Sequence, residues 1–181
     1  MRFLIVTQVP HKLSGGWIYS YGPYIREMNI WSKTIRYLVV IAPLDRQVVI
    51  PDAIDAAYDH ENITLVPIPA INLMGLRSVL MTITYLPKII YTLFREMALS
   101  DHIHLRCPGN MGFLGLLVQG FFPKKKKTVK YAGNWDDYPG EEWSYKWQKS
   151  LSRNTFWSKN LKVLVYGQWP DFTANCIIDW L

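Results

Sequence analysis

The chain has 181 residues, half of them hydrophobic, and a formal charge of +6. That length fits one domain over residues 1–181 with one substantial core. The apolar region "LMGLRSVLMTITYLPKIIYTLF" leaves only about ten uncharged residues between Arg77 and Pro87, against the ~20 a spanning helix needs, so a membrane-crossing helix is excluded.

"RFLIVTQ" predicts a first strand, apolar on both faces and suited to a covered parallel sheet. The N-terminal run is too short for a signal peptide and lacks a small-residue cleavage site. "HKLSGG" predicts a loop, and 17–31 a helix starting near Pro23, a residue that fits a first helical turn. "RYLVVIAP" is a second strand, residues 45–62 stay unassigned, and "ITLVPIPA" is a third, pushed to an edge by Pro67 and Pro69. A long apolar helix over 76–97, kinked at Pro87, precedes a fourth strand, "HIHLR". "PGN" turns into a helix over 111–122, and "TVKYA" is a fifth strand. An amphipathic helix over 141–160, with Trp143, Trp147 and Leu151 at helical spacing, leads to a sixth strand, "KVLVYG". This alternation predicts an α/β class: a Rossmann-like three-layer sandwich with a mainly parallel sheet. Ligands in such sheets lie beyond the carboxyl ends of the strands.

Three loops fall at that edge in this reading. Gly15, Gly16 and Trp17 open the first helical region, where paired glycines let backbone amides approach an anion, or else form a plain tight turn. Arg106 offers a planar fork to a phosphate or carboxylate, or pairs with an acidic neighbour. Asn110 is expected to cap the following helix. Gly133, Asn134, Trp135 and Asp136 combine hydroxyl partners, a flat apolar platform and a carboxylate able to deprotonate an acceptor hydroxyl, which suits a sugar. The competing reading is a turn closed by an Asx hydrogen bond. His102 and His104 alternate along a strand and share a face; with no acidic or thiolate partner they do not predict a metal site. Cys107 and Cys176 are far apart and predict free thiols in a reduced compartment. The basic run Lys124–Lys127 attracts nucleic acid, anionic lipid or phosphorylated ligands, and charge alone does not choose among them; the competing reading is a solvated lysine turn leading into a strand.

In order and approximate spacing, "FLIVTQVPHKLSGGW", "DHIHLRCPGNMGFLGLLVQ", "KKTVKYAGNWDDY" and "NLKVLVYGQWPD" resemble the N-terminal half of a GT-B glycosyltransferase of the group 1, family four type. The resemblance implies half of a GT-B architecture, with the acceptor-side domain present and the C-terminal donor-binding domain, with its paired glutamates, absent. It implies a transferase moving a sugar from a nucleotide-sugar donor to a glycan or lipid-linked acceptor, inactive without that second domain or a partner subunit. It also implies no obligatory metal or cofactor. Gly15 and Gly16 would lie near the donor phosphates, and the segment from Ala132 to Asp136 would face the reacting sugar. Many members carry a histidine where this chain has Ala132, which leaves Asn134 or Asp136 in its place. The reading requires the glycine pair and the Trp135 loop to line one groove. A cytoplasmic location follows, with no nucleic-acid partner and peripheral contact with the inner face of a membrane; a non-catalytic glycan- or partner-binding module is the alternative.

Overall fold

The computed structural model describes residues 1–46, 51–71 and 75–166, and the backbone of 176–179. Seven strands form one parallel sheet: β1 (Arg2–Val6), β4 (Tyr37–Pro43), β6 (Ile63–Ile68), β7 (His102–Cys107), β8 (Lys126–Tyr131), β9 (Leu161–Tyr166) and β10 (Cys176–Asp179). Their spatial order is β10-β9-β8-β7-β1-β4-β6. Counting only these strands in chain order, that is 3-2-1-4-5-6-7 read from the β6 edge, the doubly wound Rossmann arrangement. The expected α/β class and mainly parallel sheet are therefore observed. The six predicted strands are all present, with Gly167 of the sixth outside the described residues, and β10 is an additional one. β6 forms an edge, as its prolines require.

The sheet separates two apolar clusters. Helix α1 (Gly22–Ser32) covers one face, where Tyr24, Ile25 and Met28 pack on Phe3, Ile5, Leu38 and Val40. Pro23 occupies its first turn, as expected. On the other face, Ile89, Leu93 and Met97 of α2 (Leu76–Leu99), and Met111, Leu116 and Val118 of α3 (Asn110–Gln119), pack on Leu4, Val6, Ile103 and Leu105. The fourth helix, α4 (Trp143–Arg153), packs beside α3. Its amphipathicity departs from the expected sense: Gln148, Lys149 and Ser152 are buried and Trp143 and Trp147 exposed, while Leu151 packs partly buried against the larger cluster. Gln148 and Lys149 are drawn inward because they hold neighbouring loops, and Ser152 donates to Gln148 O of its own helix at 2.7 Å.

The largest departure lies between β1 and α1. Residues expected as a loop and an early helix form a hairpin, β2 (His11–Ser14) and β3 (Trp17–Tyr21), extended by β5 (Asp55–Ala57) into a small antiparallel sheet. Ser14 pairs with Trp17, so Gly15-Gly16 is a two-residue turn, with φ of 56° and 82°. Positive φ at both central residues is the type I′ geometry that follows the twist of the strands. The glycine pair therefore closes a hairpin and opens no helix. A Cβ at either glycine would meet nothing, so substitution costs only backbone strain. Gly16→Ala is expected to lower stability by ~1 kcal/mol, read as a shift of the urea midpoint without a change of slope.

Candidate functional site

The direction of chain crossover reverses between β1 and β7, and side-chain hydrogen bonds bridge the carboxyl ends of these two strands. Gln8, just past β1, reaches across the gap: its Oε1 accepts the Asn110 backbone N–H at 3.0 Å and its Nε2 donates to Pro108 O at 3.4 Å. On the far side, Gln148 Oε1 of α4 accepts the Gly109 N–H at 3.0 Å. Two amide side chains thus satisfy the first orphan donors of α3. Asn110 does not cap the helix as expected. Gly109 holds the N-cap position, and the Asn110 side chain turns to Ile71 O at 3.5 Å.

A cleft of about 490 Å³ opens at this junction, lined by Gln8, Val9, Pro10, Tyr21, Pro43, Ala70, Ile71, Asn110 and Met111. Its position matches where doubly wound sheets take ligands. Gln8 and Asn110 supply amides and Tyr21 an exposed ring. Only Asn110 of these lining residues was singled out by the sequence reading.

The loop after β8 adjoins this junction. Ala132 N–H donates to Cys107 O at 2.7 Å, and a Cβ at Gly133 would sit 3.2 Å from Pro108 Cγ. Two of the three expected loops are therefore neighbours at the carboxyl edge. Within the second, Asn134 Oδ1 accepts the Asp136 N–H at 3.2 Å, the Asx turn that was the competing reading. Trp135 is not a platform. It is 0% exposed, edge-on to Tyr131 with centroids 5.2 Å apart, and covered by the Arg153 guanidinium at 4.8 Å.

Lys149 organises the rest of this loop from α4. Its buried Nζ lies 2.6 Å from Asp137 Oδ1 and 2.8 Å from Glu141 Oε1, and donates to Asp136 O at 3.0 Å. The hydrogen bond from Lys149 holds the Asp137 carboxyl below the usual range. Asp136 is half-buried, and its carboxylate makes no hydrogen bond or ion pair among the described residues.

The glycine pair does not join this edge. Gly16 and Trp17 line a separate cleft of about 300 Å³ with Tyr58, His60, Glu61 and Ile63. Ile63 is level, strand by strand, with Leu38, Phe3, His102 and Lys126. That row lies about 17 Å along the sheet from Tyr131, five residues at ~3.3 Å each. Gly15, Gly16 and Trp17 therefore sit toward the amino edge, away from Gly133–Asp136, because the hairpin folds back along the sheet.

Arg106 takes the structural alternative. Its Nη1 donates to Glu27 Oε2 of α1 at 2.9 Å, and its guanidinium lies over the Tyr24 ring at 4.9 Å. Lys130, fully buried, stands 4.0 Å from the other oxygen of Glu27 and 3.9 Å from the centre of the Tyr166 ring. Next to this cluster runs a buried chain of hydroxyls. Val9 O can only accept, so His11 Nδ1 carries the proton and donates to it at 2.8 Å. His11 Nε2 then accepts from Tyr58 OH at 3.0 Å, and Tyr24 OH lies 3.0 Å further on. Burial lowers the His11 pKa to about 4 and raises that of Tyr24 to about 12.

His102 and His104 share a face as expected. They meet the Thr128 hydroxyl at 3.0 and 2.8 Å and stack beside Phe3. Burial lowers them to about 4 and about 3. Among the described residues no group of three or more His, Cys, Asp or Glu side chains could hold a metal. Cys107 is a free buried thiol, raised by burial.

These histidines set a pH dependence. Their folded pKa values lie below the ~6.5 of an unfolded histidine, so the unfolded chain takes up protons first. Stability is full above pH ~6.5 and is lost as pH falls toward 4. His11 alone contributes a loss of ~3 kcal/mol. Urea unfolding at pH 7.5 and 5 is expected to show the lower midpoint at pH 5, and an equal or higher one would contradict the buried neutral assignment.

Comparison with protein-family models, with curated proteins and with solved structures finds no match.

Proposed function

We propose that the chain is the acceptor-side domain of a glycosyltransferase, with the cleft between β1 and β7 receiving a glycan or lipid-linked sugar. The observation that carries the reading is the placement of that cleft at the crossover point of a doubly wound sheet, with Gln8 and Asn110 as hydroxyl partners and Tyr21 as the flat apolar wall. Asp136, partner-free among the described residues, is the candidate base; it does not line the cleft itself but follows Ala132 and Gly133, which touch this junction. In the step it would serve, an acceptor hydroxyl oxygen bonds to the anomeric carbon, the bond from that carbon to the donor's diphosphate breaks, and Asp136 takes the hydroxyl proton. The nucleotide-sugar is held by a second domain or partner subunit. Gly15 and Gly16 have no part in holding it, since their turn lies toward the other edge. The groove expected between the glycine pair and the Trp135 loop is not formed, so the donor-phosphate role of Gly15 and Gly16 falls, and the cleft between β1 and β7 alone carries the acceptor role.

Titration of the chain by amide chemical shifts tests it, with simple methyl glycosides, uridine diphosphate and a nicotinamide dinucleotide as separate probes. Saturable shifts at Gln8, Tyr21 and Asn110 with a glycoside, and binding of the diphosphate at least ~10-fold weaker, are expected. Saturation of the same residues by either nucleotide with no glycoside response would assign the cleft to another Rossmann class.

A further inference from the structure

Helix α2 buries one side and leaves the other uncovered. Ile89, Leu93 and Met97 face the sheet, while Leu80, Ile83 and Tyr91 are 60, 58 and 69% exposed. At 100° per residue these three positions fall within one third of the helix circumference. Phe94 continues the stripe, 6.2 Å from the ring of Phe121, which is 65% exposed beyond the end of α3. An apolar groove of about 190 Å³, lined in part by Ile83, Leu86, Phe113 and Leu114, lies alongside. A patch of this extent needs an occupant.

The charges around the stripe identify one. Lys88 and Arg95 project from the exposed side of α2, and Lys124 and Lys126 stand exposed just beyond Phe121. The only acids between residues 62 and 135 are Glu96 and Asp101, against nine Lys and Arg. Glu96 is buried, paired with Arg2 and 3.7 Å from Arg95 Nη1, and Asp101, exposed beyond the end of α2, accepts the Arg2 backbone N–H at 2.7 Å. Among the described residues, the exposed charges of α2 itself are thus cationic. A second copy docked there would set like charges against one another, and no helix among the described residues is long and apolar enough to cross a membrane. We propose that the α2–Phe121 face lies on an anionic lipid surface, its apolar stripe at the headgroup boundary and its lysines and arginine on the phosphates.

Co-sedimentation of the chain with phosphatidylcholine vesicles, with and without ~30% phosphatidylglycerol, is the test; that fraction sets a strongly negative surface. The bound fraction is expected to rise at least tenfold with the anionic lipid and to fall, without vanishing, in 0.5 M NaCl. Lys88→Glu with Arg95→Glu should weaken binding by ~25-fold or more, about fivefold for each charge lost. Leu80→Ser with Tyr91→Ser, both on the exposed side, should abolish the salt-resistant part while leaving the thermal unfolding midpoint within a few degrees. No retention by anionic vesicles, or equal retention by both kinds, overturns the proposal for the unmodified chain, whatever the variants do. Concentration-dependent self-association lost in the Leu80→Ser, Tyr91→Ser variant would assign the face to a second copy instead.

Discussion

Replacing Trp135 by alanine is expected to cost about 3–5 kcal/mol of folding stability, the range for truncating a large buried aromatic. The ring is fully enclosed, packs edge-on against Tyr131 and belongs to the larger apolar cluster. Its removal leaves a cavity under Arg153, whose guanidinium also donates to Trp135 O at 3.3 Å. Trp135→Phe should cost far less. Among the described residues the indole N–H has no acceptor, so its loss gives up no hydrogen bond. Equilibrium denaturation of both variants decides the matter. A platform for sugar would lose ligand affinity at unchanged stability, and that pattern would contradict the buried assignment.

Glu27→Ala is expected to lower stability by about 3 kcal/mol, because it strands a largely buried guanidinium. Breaking one side of a buried pair costs more than the pair contributes, since the remaining charge keeps its desolvation penalty. Among the described residues Arg106 would retain only the face of Tyr24, at 4.9 Å, and Lys130 would lose a carboxylate 4.0 Å away. Adding Arg106→Met to Glu27→Ala should restore part of the loss, and the double-mutant cycle should give a coupling above 1 kcal/mol. Additive single effects would mean that the pair is not energetically joined.

The sheet was legible because its strands are short apolar runs separated by helices and prolines. The hairpin was not read, although a two-residue Gly-Gly loop between "HKLS" and "WIYSY" carries the local signal for a type I′ turn. Trp135 shows a harder limit. Its neighbours in sequence are Asn134 and Asp136, which read as an exposed rim, whereas its burial comes from Tyr131 and from Arg153, 18 positions on. Glu27 gave no signal at all, since its partner lies 79 positions away. The run of four lysines misleads in another way. Lys124 and Lys126 face solvent, Lys125 closes the end of α2 by donating to Ala98 O at 2.7 Å, and Lys127 is buried with its pKa lowered to about 8. Of the cleft, Gln8 could have been found by asking what stands at the carboxyl end of the first strand. Tyr21 could not, because the unread hairpin delivers it.

The pairing of β1 carries a cost during synthesis. One side of that strand zips onto β4 from nearby sequence, but the other waits for β7, whose His102 matches Phe3. Ribosomes add roughly 5–20 residues per second, so the nascent chain carries an open, apolar strand flank for several seconds. During that interval the growing polypeptide offers neighbouring chains a template for mispairing, and chaperone dependence of its yield is the cellular trace this topology leaves.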